Sequence, residues 1–144
     1  MGALMKAFSV RISIRATPER IWKLLTDAEG YTRWNTTVSR IEGKIALGEK
    51  VTVHAKINPG RAFPVKVTAF DPPRRMVWTG GMPLGLFKGE RVFVLTPNVD
   101  GGEFSMREEY TGLMAPLIGK SIPDLQPAFD DFARDLKRAA ESDI

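Results

Sequence analysis

Cysteine is absent from the 144-residue chain, histidine occurs once and tyrosine twice. Without cysteine there are no disulfides, no thiolate metal sites and no cysteine nucleophile. The single histidine, His54, alternates with Val53 and Ala55 in a strand-like run, which turns it away from the apolar face. A Ser–His–Asp triad and a histidine-based metal centre therefore lack their central residue. No metal or cofactor is expected. No apolar run approaches the ~20 residues of a membrane-spanning helix. Residues 1–20 are interrupted by Lys6, Arg11 and Arg15 where a signal peptide needs an apolar core. Lys6 also stands where a myristoylation signal beginning at Gly2 wants Ser or Thr. The expectations are a cytoplasmic location, no lipid anchor and no stable membrane insertion.

Charge of one sign is never concentrated. The 21 basic residues are interspersed with 17 acidic ones, and the longest basic runs are the pairs Arg74-Arg75 and Lys137-Arg138. A net charge of +4 without a basic, aromatic-interleaved stripe reads as a solvated surface, and no nucleic-acid partner is expected. Gly80-Gly81, Gly85 and Gly89 are not followed by a helix, so they form no phosphate-cradling loop and read as bends. Repeats, low-complexity tracts and linkers are also missing, so residues 1–144 read as one domain.

What is present is an ordered series of periodic segments. Phe8, Val10, Ile12 and Ile14 alternate with polar residues as a half-buried strand. Thr17-Pro18 starts a helix, with Thr17 as N-cap and proline where a missing N–H costs nothing. Asp27 is placed to cap a second short helix carrying Tyr31 and Trp34. From Val38 to Thr111 the alternation and the turns Asn58-Pro59-Gly60, Asp71-Pro72-Pro73 and 97–102 predict about six antiparallel strands. In this reading Phe63, Val65, Val67 and Ala69 share one face. Ile122, Leu125, Phe129, Phe132, Leu136 and Ala139/Ala140 follow helical steps, with Pro123 and Pro127 near the start. Residues 113–118, flanked by Gly112 and Gly119, read as a looser apolar turn over one end of the sheet. The fold class is α+β.

One pair breaks the apolar pattern. Phe87, Phe93 and Leu95 share a strand face with Arg91, while Phe104, Met106 and Tyr110 share the next strand's inner face with Glu108. A four-residue loop over 98–101 sets Arg91 directly opposite Glu108; a two-residue Asp100-Gly101 turn makes them diagonal neighbours. Charges on an inner face carry a large desolvation cost and need hydrogen-bond partners, water or a ligand. Two readings follow. Either Arg91 anchors a carboxylate or enolate oxygen, oriented by Glu108 and assisted by Tyr110, or the three form a structural cluster. In the first, Trp34, Phe63, Val65, Trp78, Phe93, Met106, Phe129 and Phe132 are the walls of a cavity between sheet and helix, and Leu113 and Leu117 belong to its cover.

The order of elements, with Ile14-Arg15-Ala16-Thr17-Pro18-Glu19-Arg20-Ile21-Trp22, Leu25, Asp27 and Trp34, resembles the START-like (SRPBCC) superfamily. Asp71-Pro72-Pro73, Val77-Trp78, residues 89–95, Gly101-Gly102, 108–112 and Leu136-Lys137 extend the likeness over nearly the whole chain. It is most similar to small bacterial proteins of the polyketide cyclase/dehydrase type. The resemblance implies a helix-grip fold: a curved seven-stranded antiparallel sheet around a long C-terminal helix, with two short helices after the first strand. It also implies a hydrophobic or aromatic small-molecule ligand, lipid- or polyketide-like. Alternatives within the superfamily are a cyclase-like enzyme, with Glu108 or a bound water removing a proton and Arg91 stabilising the enolate, and a chaperone- or ribosome-associated interaction module. A monomer or homodimer is expected. Where relatives often carry a histidine after the strand glycine, this chain has Arg91, so no histidine chemistry is carried over.

Overall fold

Hydrophobic alternation becomes sheet and the stepped apolar residues become helix in the structure, a computed structural model that describes residues 6–57 and 59–142. The expectations for the extreme N-terminus and Asn58 fall partly or wholly outside those residues. The elements are β1 (Lys6–Ile14), α1 (Pro18–Thr26), α2 (Tyr31–Trp34), β2 (Val38–Glu42), β3 (Lys50–Ala55), β4 (Ala62–Asp71), β5 (Arg75–Met82), β6 (Phe87–Asn98), β7 (Gly101–Thr111), α3 (Ala115–Ile118) and α4 (Gln126–Glu141). A single turn of 3-10 helix, Gly119–Ser121, links α3 to the segment before α4. The seven strands form one antiparallel sheet in the order β1-β7-β6-β5-β4-β3-β2. This is the helix-grip α+β architecture, a curled half-barrel with its apolar face turned toward α4.

Local chemistry accounts for the boundaries. Thr17 accepts a hydrogen bond from the Arg20 N–H, and Pro18 occupies the first turn of α1. Asp27 acts one step earlier than expected: it ends α1, and its Oδ1 accepts from Gly30 N–H at 3.2 Å. Gly30 is the N-cap of α2, with no side-chain cap. In β4 a bulge after Val67 pairs Val67 with Trp78 but Ala69 with Val77. The bulge corrects the expected parity. Ala69 turns outward and Phe70 turns inward, against Trp22 with ring centroids 5.3 Å apart.

The core lies between the sheet and the buried face of α4, from Phe129 to Ala140. Phe132 meets Trp34, Tyr31, Phe93 and Phe104 with ring centroids 5.7 to 6.3 Å apart. Two polar clamps fix the helix over the sheet. The buried Asp135 accepts from both the N–H and the hydroxyl of Thr36 at 2.7 Å. From α1, the Arg20 guanidinium reaches the Ala140 and Ser142 carbonyls, which the helix end leaves without intrahelical partners.

Candidate ligand-binding groove

Inward-facing residues are not equally covered. Toward the β6–β7 turn they are sealed: Phe93, Leu95, Phe104 and Met106 are all nearly inaccessible. Toward the opposite end of the sheet, Phe87 and Arg91 on β6, Glu108 and Tyr110 on β7, Val53 on β3 and Phe63 and Val65 on β4 face inward but are only partly buried. This less covered end of the concave face holds the only two charged side chains, Arg91 and Glu108, that the strand register turns inward on β6 and β7.

The ladder extends to the pair Asn98–Gly101, so Val99 and Asp100 alone form the turn. The resulting register is the one that sets Arg91 directly opposite Glu108. Arg91 Nε donates to Glu108 Oε1 at 2.9 Å, and Tyr110 Oη donates to Glu108 Oε2. The Arg91 guanidinium lies over the Phe129 ring, 4.8 Å from its centroid. Tyr110 stacks on Phe87 at 5.8 Å and meets Phe8 edge-on. Gly89 leaves room for this arrangement, because a β-carbon there would lie 3.1 Å from the Tyr110 ring.

Both Glu108 oxygens are thus occupied, whereas Arg91 donates through Nε alone. Its two terminal nitrogens meet no acceptor among the described residues. Burial, and then the Glu108 carboxylate, push the Tyr110 hydroxyl far above its ordinary pKa, so it stays a protonated donor. Burial pushes Tyr31 in the same direction against the opposing effect of Arg91, and its hydroxyl is held by the Leu25 carbonyl at 2.6 Å. Directly opposite Arg91 on β5 stands Trp78. The indole N–H groups of Trp78 and Trp34, both buried, have no hydrogen-bond partner, nor does the Asn35 amide nitrogen. Buried donors are ordinarily paired, so this interior has donors to spare.

The residues singled out from the sequence separate into three sets. Arg91, Glu108, Tyr110, Phe63 and Val65 lie, partly buried, at the less covered end of the concave face. Trp34, Trp78, Phe93, Met106, Phe129 and Phe132 are buried in the core. Leu113 and Leu117 are each 65% exposed and point to solvent rather than into the interior. Phe87 and Phe8 complete the aromatic surround of Tyr110; their inward parity in the sequence is the signal that marks them. A separate hollow of about 460 Å³ lies at the far end of β1, between Arg15–Arg20 and Ala140–Ser142. It is bounded by the Arg20 and Glu141 hydrogen bonds that hold α4 in place, so its polar groups are already committed.

Comparison with known proteins places this geometry in a family. The model of the family described as "Polyketide cyclase / dehydrase and lipid transport" matches residues 5–141, and the chain belongs to that family. A curated relative, the oxopyrrolidines biosynthesis cluster protein O of Penicillium oxalicum, is 28% identical over a 109-residue alignment covering 55% of this chain. That alignment spans 54% of the relative, so the chain matches about half of its length. Among solved structures, a Mesorhizobium loti protein superposes with a TM-score of 0.75 at 20% identity, covering 96% of this chain and all of that one. A protein from the dynemicin biosynthetic locus gives 0.72 at 18% identity over 96% of this chain and 48% of its own. The Aha1 dimer from Colwellia psychrerythraea gives 0.70 at 22% identity, covering 95% and 97%. These likenesses establish the shared fold.

Proposed function

We propose that the chain binds a hydrophobic or aromatic small molecule bearing an anionic or carbonyl group, with Arg91 as its polar anchor. The observation that carries this reading is the asymmetry of the ion pair. Glu108 spends both oxygens on Arg91 and Tyr110, while the terminal N–H groups of Arg91 are unspent among the partly buried apolar residues Phe63, Val65 and Phe87. A guanidinium held by one nitrogen and backed by an aromatic face keeps its outer edge free for a planar oxygen pair. Phe63, Val65 and Phe87 supply the apolar contact.

The same geometry disfavours Glu108 as a free base, because each of its oxygens already accepts a hydrogen bond. It serves as the orienter of Arg91. A cyclase-like activity built on this site rests on Arg91 stabilising an enolate, with a water as proton acceptor.

The test is native mass spectrometry of the freshly purified protein, followed by denaturation and identification of what is released. A stoichiometric adduct with an apolar body and at least one acceptor oxygen is expected. Repeated absence of any adduct, with no thermal shift across a library of aromatic and long-chain carboxylates, overturns the reading.

A further inference from the structure

The large apolar side chains that stand exposed among the described residues are concentrated at one end of the sheet. Leu47 and Val99 lie toward the closed end. Ile57, Met82, Leu84, Leu113 and Leu117 all lie at the other, beyond Arg91 and Tyr110. The topology requires this grouping. The antiparallel order puts the β3–β4 and β5–β6 connections and the segment after β7 at the same end. Two backbone hydrogen bonds then tie the last two together: Leu113 N–H to the Gly85 carbonyl at 3.1 Å, and Met114 N–H to the Leu86 carbonyl at 2.7 Å. Gly112 permits that approach, because a β-carbon there would lie 2.7 Å from the Leu86 carbonyl oxygen.

Leu84 is the most pronounced member. It is 91% exposed at the tip of the turn closed by Leu86 N–H and the Pro83 carbonyl, and its φ is 60°. A left-handed backbone is unfavourable for leucine and natural for glycine or asparagine. A branched apolar residue held in that conformation, with its side chain entirely in water, is opposed by both solvation and backbone energy. Such outliers gather where function demands them.

Charge completes the pattern. Lys56 and Arg61 flank the β3–β4 connection and Lys120 follows α3, all exposed and without an ion-pair partner among the described residues. The nearby carboxylates are engaged: Glu108 with Arg91, Glu90 with Lys88 at 3.5 Å, and Glu109 with Arg107 at 2.7 Å. Asp124 turns an oxygen back to the Gln126 N–H.

We propose that this rim docks on an anionic phospholipid surface, with Leu84, Leu113 and Leu117 entering the boundary between headgroups and acyl chains. Single leucines projecting from separate turns suit a deformable lipid interface better than a flat protein face. Unpaired cations around them match anionic headgroups. Among the described residues no helix is long and apolar enough to cross a membrane, so the attachment is peripheral. It also turns the Arg91 end of the concave face toward the lipid, although rim attachment does not depend on a ligand at Arg91.

The experiment is co-sedimentation of the full chain with vesicles of phosphatidylcholine alone and of phosphatidylcholine containing roughly one quarter phosphatidylglycerol. Binding is expected to the anionic vesicles, weakening as salt rises. The variant Leu84→Ser/Leu117→Ser, at two exposed positions, should retain the wild-type thermal midpoint and lose about tenfold or more in vesicle affinity. Lys120→Glu should cost about fivefold on anionic vesicles only. Absence of binding to anionic vesicles overturns the proposal. Binding that survives the double leucine substitution overturns it too. So does concentration-dependent dimerisation without vesicle binding, abolished by the leucine variant, which assigns the rim to a second copy of the chain.

Discussion

Arg91 sits directly opposite Glu108 across the β6–β7 ladder, with its guanidinium 4.8 Å from the centroid of the Phe129 ring. The pair is partly screened: the Arg91 side chain is 22% exposed and that of Glu108 15%. Arg91→Met leaves Glu108 with Tyr110 as its remaining partner, and chemical denaturation should register a loss of roughly 1–3 kcal/mol. The double variant Arg91→Met/Glu108→Gln removes the stranded charge and should recover most of that loss. Additive effects of the two single substitutions would mean that the residues do not interact.

Alkaline pH gives an independent reading of the interior. Both tyrosines of the chain, Tyr31 and Tyr110, have pKa values raised by burial. The folded state therefore holds protons that the unfolded state releases near pH ~10. Stability is intact below that pH and declines as pH rises toward the folded values, because unfolding then releases protons. Absorbance at the phenolate band should show no reversible step near pH ~10 in the native protein, and both rings should ionise together with alkaline unfolding. A native-state titration of one tyrosine at the ordinary pKa would place that ring in solvent.

Phe132 is the centre of the sealed half of the molecule, 2% exposed and in contact with four aromatic rings. Phe132→Ala should cost about 3–5 kcal/mol in denaturant unfolding. A cost below ~1 kcal/mol would mean that the ring borders open space rather than packed core.

Asp135 ties α4 to the strand-entry segment through Thr36 and receives Arg138 Nη2 at 2.9 Å. Asp135→Ala should destabilise by about 1.5–3 kcal/mol. Asp135→Asn, which keeps an acceptor for the Thr36 N–H, should lose less. Equal losses would assign the effect to charge alone.

Much of this molecule is legible in the sequence because two periodicities dominate it. The alternation in β1, β6 and β7 and the stepped apolar residues of α4 place Phe93, Met106, Phe129 and Phe132 inside, where the structure has them. What local pattern leaves open depends on geometry between strands. The Arg91–Glu108 register has two solutions until the turn is known to be Val99-Asp100. The β4 bulge exchanges Ala69 for Phe70 on the inner face, because one extra residue reverses every later side chain. Asp135 lies in the apolar stripe between Phe132 and Leu136, where only its distant partner Thr36 explains it. Leu113 and Leu117 read as an inner cover from their apolar composition, yet the segment's hydrogen bonds to Gly85 and Leu86 hold them at the rim.

The most direct measurement compares two probes of similar shape, anionic anilinonaphthalene sulfonate and neutral phenylnaphthylamine, titrated by fluorescence into wild type, Arg91→Met and Arg91→Met/Glu108→Gln. With Arg91 as anchor, the sulfonate should lose about tenfold or more in affinity in both variants, while the neutral probe changes little. The recovery of stability in the double variant should bring no recovery of sulfonate affinity. Sulfonate binding that is unchanged in both variants, or restored along with stability, would contradict the anchor and leave the pair a structural element only.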